Sequence, residues 1–102
     1  MMSLDIHHIF PEDWCKKRGL KPAVSNTIVN KTPISYKANR KIGGHAPSVY
    51  LPKLQGEKLV GLDDATMDAL LHTHQIPAKC LRADDFDGFY QARKARLLQL
   101  VE

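Results

Sequence analysis

Asp5-Ile6-His7-His8-Ile9-Phe10-Pro11 is the stretch from which both the fold and the chemistry are read. Ile6, Ile9 and Phe10 supply β-favouring bulk, so a strand is predicted over residues 4–10. Pro11 closes it and suits the first turn of a helix. Glu12 and Asp13 stand at the start of that helix, and Lys16, Lys17 and Arg18 at its end, an order that complements the helix dipole. Gly19 stops it. Two imidazoles therefore sit side by side just before a strand-to-helix junction.

Adjacent residues of a regular strand point to opposite faces. For His7 and His8 to serve one reacting group, the strand must twist or end at them. Asp5 shares a face with His7 by the period of two. It is read as a partner that orients that imidazole or as an extra ligand, beside the plainer reading of a solvated carboxylate.

Outward from this stretch, residues 20–25 read as a loop containing Pro22. Thr27 to Lys31 reads as a second strand, β-branched at Thr27, Ile28 and Val29. Thr32-Pro33 has the form of a helix entry, with Thr as N-cap and Pro at the first helical position. That helix should run to about Ile42 and end at Gly43-Gly44. Residues 43–61 are expected to be an irregular connector with one helical turn near Ser48–Leu51. Asp63 or Asp64 can cap a further helix, with Met67, Leu70, Leu71 and His74 on one face and Ile76-Pro77 ending it. Asp84 or Asp85 can cap the last helix, whose apolar stripe is Phe86, Phe89, Tyr90, Leu97, Leu100 and Val101.

The fold class is therefore α+β. A ββα unit surrounds the histidines and is too small to bury a core alone, so the C-terminal helices should supply the missing apolar surface. The 102 residues make one domain, with residues 1–54 as the core region and 55–102 as a helical extension. Met1-Met2-Ser3-Leu4 reads partly as an added leader, and the expectation is a domain cut from a longer protein with further residues before it.

The net charge of +4 conceals an asymmetry. Residues 1–60 hold ten Lys/Arg against four Asp/Glu, whereas residues 61–102 hold five against seven. Positive charge gathered on the half that carries the histidines favours a polyanionic substrate. Lys16, Lys17, Arg18, Lys21, Lys31 and Lys37 are candidate contacts to a nucleic-acid backbone, which position without reading sequence. Cys15 and Cys80 lack metal-type spacing and read as reduced thiols of a cytoplasmic protein. No apolar run approaches the roughly 20 residues that a bilayer span needs. Trp14 and Tyr50 read as core aromatics rather than base-stacking platforms. His72 and His74, two apart on a helix, cannot share a ligand easily.

Phosphodiester hydrolysis needs an activated water, charge neutralisation at the phosphate and help for the leaving oxygen. An imidazole can accept the proton, and a divalent ion can supply the rest. His7 and His8, followed at a distance by Asn30 and Asn39, are side chains of the right kinds. At this point the chain resembles a known family. His7-His8-Ile9-Phe10-Pro11, then Asn30, then Asn39-Arg40-Lys41-Ile42-Gly43, is similar to the HNH (His-Me finger) endonucleases, and above all to the C-terminal HNH domain of GmrSD-like type IV restriction proteins of bacteria. Pro47-Ser48-Val49-Tyr50-Leu51 resembles the P-S-x-Y-L segment of that subfamily, so the likeness covers residues 5–54. It implies a ββα-metal core, with His7 as a metal ligand, His8 as the general base, Asn30 bracing the hairpin and the base, and Asn39 as the second metal ligand. It implies Mg²⁺ or Mn²⁺ at an oxygen-rich site, with Zn²⁺ or Ni²⁺ admitted by the imidazole. DNA is the implied substrate. Arg40, Lys41, Lys31, Lys37 and His45 are candidates to contact the phosphate. The rival expectation is a DNA-binding or interaction module, silent in catalysis until an N-terminal domain completes it. A closed structural metal site is a poor third, since neither cysteine has the spacing.

Overall fold

The first strand ends at His8, two residues earlier than predicted, and that early end organises the molecule. The computed structural model describes residues 4–35, 42–56 and 62–101, with backbone alone at 4, 5, 34, 35 and 101. Strand β1 (Leu4–His8) leads through a bend at Ile9-Phe10 into helix α1 (Glu12–Lys17). Then come a single helical turn, α2 (Pro22–Ser25), a 3-10 turn (Ile28–Asn30) and strand β2 (Lys31–Ser35). Helices α3 (Pro47–Gln55), α4 (Asp64–Thr73), α5 (Ala78–Arg82) and α6 (Phe86–Val101) complete the order. The class is α+β, and β1 and β2 form an antiparallel pair in which His7 faces Thr32 and His8 faces Lys31.

The second strand is thus not Thr27–Lys31. Thr27 caps the 3-10 turn and Asn30 ends it, so pairing begins at Lys31. Thr32 and Pro33 do not open a helix either: both lie within β2, with Pro33 opposite Ile6. The local helix-entry signal loses to tertiary pairing, because the Ile9 amide already donates to the Asn30 carbonyl at 2.8 Å and sets the register beyond it. Proline is tolerated there because it lacks only an outward-facing donor, and in a two-stranded sheet each strand is an edge. The remainder of that helix, residues 36–41, falls outside the described residues.

Three more differences concern local helix. Residues 22–25 make a turn of helix begun by Pro22 rather than a loop. The turn expected near Ser48–Leu51 is a nine-residue helix with Pro47 at its start. Ile76-Pro77 separates α4 from an unforeseen short helix, α5. Elsewhere the capping chemistry acts as read. Gly19 takes the left-handed conformation (φ +74°) after α1. The Asp63 carboxylate accepts from the Thr66 amide at 2.8 Å, and hydrogen bonding from Thr66, through its side chain first and its amide second, holds the Asp63 pKa below the ordinary value. Asp85 receives the Gly88 amide at 3.0 Å at the start of α6.

The core forms directly behind the histidines. Phe10 is fully buried and touches three aromatic rings: Trp14 and Phe89 at 4.9 Å between centroids, and Phe86 edge-on at 5.3 Å. Trp14 is half-buried against this cluster, with the Arg18 guanidinium over its outer face. Ile9 turns the other way, towards Ile42, Tyr50, Leu51, Ile76 and Leu81. Each such buried side chain contributes about 1.5–3 kcal/mol. So α6, α3 and α5 do supply the apolar surface that the small N-terminal unit lacks. Both cysteines are free thiols; burial, with the Glu12 carboxylate adding, pushes the Cys15 thiol up to about 11.

Arg93 ties the two halves together. Its side chain reaches from α6 into the chain before β2, where one terminal nitrogen donates to the carbonyls of Ile28, Val29 and Lys31 at 3.1, 2.7 and 3.1 Å. The other donates to the His74 carbonyl at 3.3 Å, and Arg93 is only 6% exposed. The clamp fixes both sides of Asn30.

Candidate active site

The site is built on a backbone whose polar groups are all committed. At Ile9 the amide donates to the Asn30 carbonyl, and the carbonyl accepts from the Tyr50 hydroxyl. At Phe10 the amide donates to Asn30 Oδ1 at 2.8 Å, and the carbonyl accepts from Asn30 Nδ2 at 3.0 Å. The same Nδ2 also donates to the Ser25 carbonyl at 2.9 Å. Asn30 is completely buried, and its amide is spent on the main chain. Its geometry is that of a brace, gripping the residue that lies two places after His8. A buried carboxamide of this kind is costly to remove, since each orphaned backbone group costs about 1–3 kcal/mol.

His7 and His8 are the last two residues of β1. His7 and His8 both line one small polar concavity of about 100 Å³, together with Pro11, Glu12, Ile42 and Gly43. The condition set by the sequence, that the strand twist or end at the histidine pair, is therefore met by its ending. His8 Nε2 lies 2.6 Å from Asn26 Oδ1. Glu12 is exposed at the start of α1 and lines the same concavity.

Asn26 and Glu12 carried no functional reading in the sequence. Asn26 fell between the loop expected over 20–25 and the strand expected from Thr27, and Glu12 was read as a favourable first-turn acid. A sign that could have marked Glu12 is its position four residues after His8, across a proline that forces a turn.

Of the other candidates, Lys31 is half-buried opposite His8, and Lys16, Lys17, Arg18 and Lys21 are exposed on and after α1. His45 is exposed in the loop that follows Gly43-Gly44, and that loop passes close to Asp13 of α1. Asp5 pairs with Ile34 through the backbone, and its side chain is outside the description. Asn39, Arg40, Lys41 and Lys37 lie outside the described residues. His74 caps α4 away from the concavity, and His72 Nδ1 is 3.4 Å from an Arg96 nitrogen. Among the described residues no three His, Cys, Asp or Glu side chains converge as a metal cage.

The Pro47-Ser48-Val49-Tyr50-Leu51 segment has a structural meaning. Pro47 opens α3, and the Ser48 amide and hydroxyl both donate to the Asp84 carboxylate, the amide at 2.8 Å. Tyr50 reaches back to Ile9, and Leu51 enters the core. Burial, with the Asp84 charge adding, raises the Tyr50 pKa well above its ordinary value, so this phenol stays a donor. The segment holds the backbone behind the histidines; it does not line the concavity.

No family model matches the chain, and no solved structure matches it significantly. An uncharacterized protein of Methanocaldococcus jannaschii is 35% identical over 117 aligned positions, which take in 96% of this chain and 20% of that protein. The chain spans about a fifth of the length of the curated relative it matches. Among the described residues no helix is long and apolar enough to cross a membrane.

Proposed function

We propose that the chain is a metal-dependent endonuclease domain that hydrolyses phosphodiester bonds in DNA, with His8 as the base and His7 as a ligand of a divalent ion. One observation carries this reading: two adjacent histidines at the end of β1 line one polar concavity. The likeness to the HNH endonucleases of restriction proteins supports it and suggests foreign DNA as the target.

The donors present fit a hard ion of the Mg²⁺ or Mn²⁺ kind as an open site. His7 offers an imidazole nitrogen and Glu12 a carboxylate oxygen, and both border one concavity. Such ions retain water and take much of their coordination from substrate phosphate, so a closed protein cage is not required. Asn39 would add an oxygen ligand; Zn²⁺ and Ni²⁺ would use the imidazole. When bound, the ion supplies charge neutralisation and help to the leaving oxygen.

The chain's own residues do the rest. The His8 imidazole takes a proton from a water placed in the concavity, a role worth about 10²–10⁴-fold in rate. Asn30 and Tyr50 hold the main chain behind it, so the imidazole keeps its place as the proton moves. Exposed Lys16, Lys17, Arg18 and Lys21 offer cationic contacts to the phosphates on either side.

Plasmid nicking with Mg²⁺ or Mn²⁺ tests this. The wild-type protein should nick and His8→Ala should not; equal nicking by His8→Ala removes His8 from the mechanism. A second reading, a DNA-binding module that is silent alone, is suggested by the exposed cations Lys16, Lys17, Arg18 and Lys21. It predicts salt-sensitive DNA binding with no cleavage in any of these metals.

A further inference from the structure

We propose that Asn26 is a positioning residue that fixes His8 in the Nε2–H tautomer and leaves Nδ1 as the lone-pair nitrogen of the ring. The catalytic consequence rests on the endonuclease reading; the tautomer itself does not.

The contact is short, 2.6 Å from His8 Nε2 to Asn26 Oδ1. A carboxamide oxygen can only accept, so the ring nitrogen facing it must carry the hydrogen. A neutral imidazole has one N–H, and with Nε2 protonated the basic lone pair is at Nδ1. On taking a second proton the ring keeps its bond to Asn26, because Nε2 remains a donor. This is the arrangement by which a third group orients a base without itself exchanging a proton.

The position of Asn26 is not left to a free loop. Its own amide donates to the Pro22 carbonyl at 2.9 Å, closing α2. The residue before it, Ser25, is buried, and its carbonyl is held by Asn30. The residue after it, Thr27, donates through its hydroxyl to the Val24 carbonyl at 2.9 Å. Asn30 therefore anchors Phe10 on one side and Ser25 on the other, and so sets the spacing between His8 and Asn26. One buried amide positions the base and the residue that orients it. The side chain of Asn26 is exposed, so its replacement should spare the fold.

The test is the ring-nitrogen NMR spectrum of His8 in the full chain, above the pH at which the ring is neutral. It is recorded for wild type, Asn26→Asp and Asn26→Ala, with urea midpoints as a check on folding. Wild type should show the Nε2–H tautomer. Asn26→Asp, which retains an acceptor-only oxygen, should keep it, and Asn26→Ala should shift His8 to a mixture. In the nicking assay Asn26→Ala should lose roughly tenfold to a hundredfold in kcat with KM little changed, and Asn26→Asp should recover most of it. A wild-type ring that is mainly Nδ1–H, meaning the carboxamide donates through its nitrogen instead, overturns the proposal. So does an Asn26→Ala ring with the wild-type tautomer ratio. If no variant nicks DNA yet the spectra behave as stated, the endonuclease reading fails while the Asn26–His8 assignment stands.

Discussion

Replacing Asn30 by alanine should cost this domain a large part of its stability. The substitution removes three hydrogen bonds of 2.8–3.0 Å from a fully buried position. The Phe10 amide, the Phe10 carbonyl and the Ser25 carbonyl each lose a partner. The Phe10 carbonyl retains only the weak contact from Cys15 Sγ at 3.6 Å. Three buried groups at about 1–3 kcal/mol each, taken near the lower half of that range, give about 3–5 kcal/mol. Small domains have about 5–15 kcal/mol in total, so the variant should be marginal. Equilibrium urea unfolding reads this directly. With a slope of about 1.5 kcal/mol per molar, the midpoint should fall by roughly 2–3 M. Tyr50→Phe, which removes one bond to the Ile9 carbonyl, should fall by about 1–2 kcal/mol on the same scale. A midpoint for Asn30→Ala within about 0.5 M of wild type, at unchanged slope, would refute the claim that this amide holds the site and the core together.

Arg93→Met should destabilise by about 2–4 kcal/mol, because it strips donors from four carbonyls while relieving a buried charge. Amide hydrogen exchange should quicken first around residues 28–33, and protection equal to wild type there would contradict the clamp. Raising the pH should weaken the fold through Cys15. The unfolded thiol ionises near 9.0 and the buried one near 11, so stability is full below about 9 and declines as the pH climbs towards 11. Cys15→Ala should lessen that decline, seen as urea midpoints compared across the window; an identical decline would assign it elsewhere.

Features set by chemistry within a few residues were legible in the chain. Asp63 and Asp85 cap their helices, Gly19 reverses the chain, and Phe86, Phe89 and Tyr90 pack inward, whereas Leu100 of the same expected stripe is exposed. Thr32-Pro33 misled because its local helix-entry signal is overridden by pairing with His7 and Ile6 on β1, far away in sequence, a competition that propensity does not register. Arg93 was invisible for the same reason: its partners on the 28–31 segment lie 62–65 residues distant, and an arginine on an amphipathic helix reads as solvated. At the site, the adjacency of the two histidines was legible in the sequence. That both histidines line one concavity, with Asn30 gripping the backbone at Phe10, needed the three-dimensional arrangement. Asn26 offered no pattern at all; only the turn anchored by Ser25 and Thr27 brings it to His8.

The most direct measurement is titration of the full chain with Mn²⁺ while the imidazole signals are followed by NMR, since the paramagnetic ion broadens nearby nuclei. Signals of His7 and His8 should broaden together at low Mn²⁺, ahead of His72 and His74, and excess Mg²⁺ should restore them. If the two rings stay sharp while others broaden, or if all five histidines of the chain broaden alike, no ion is held where the two imidazoles meet.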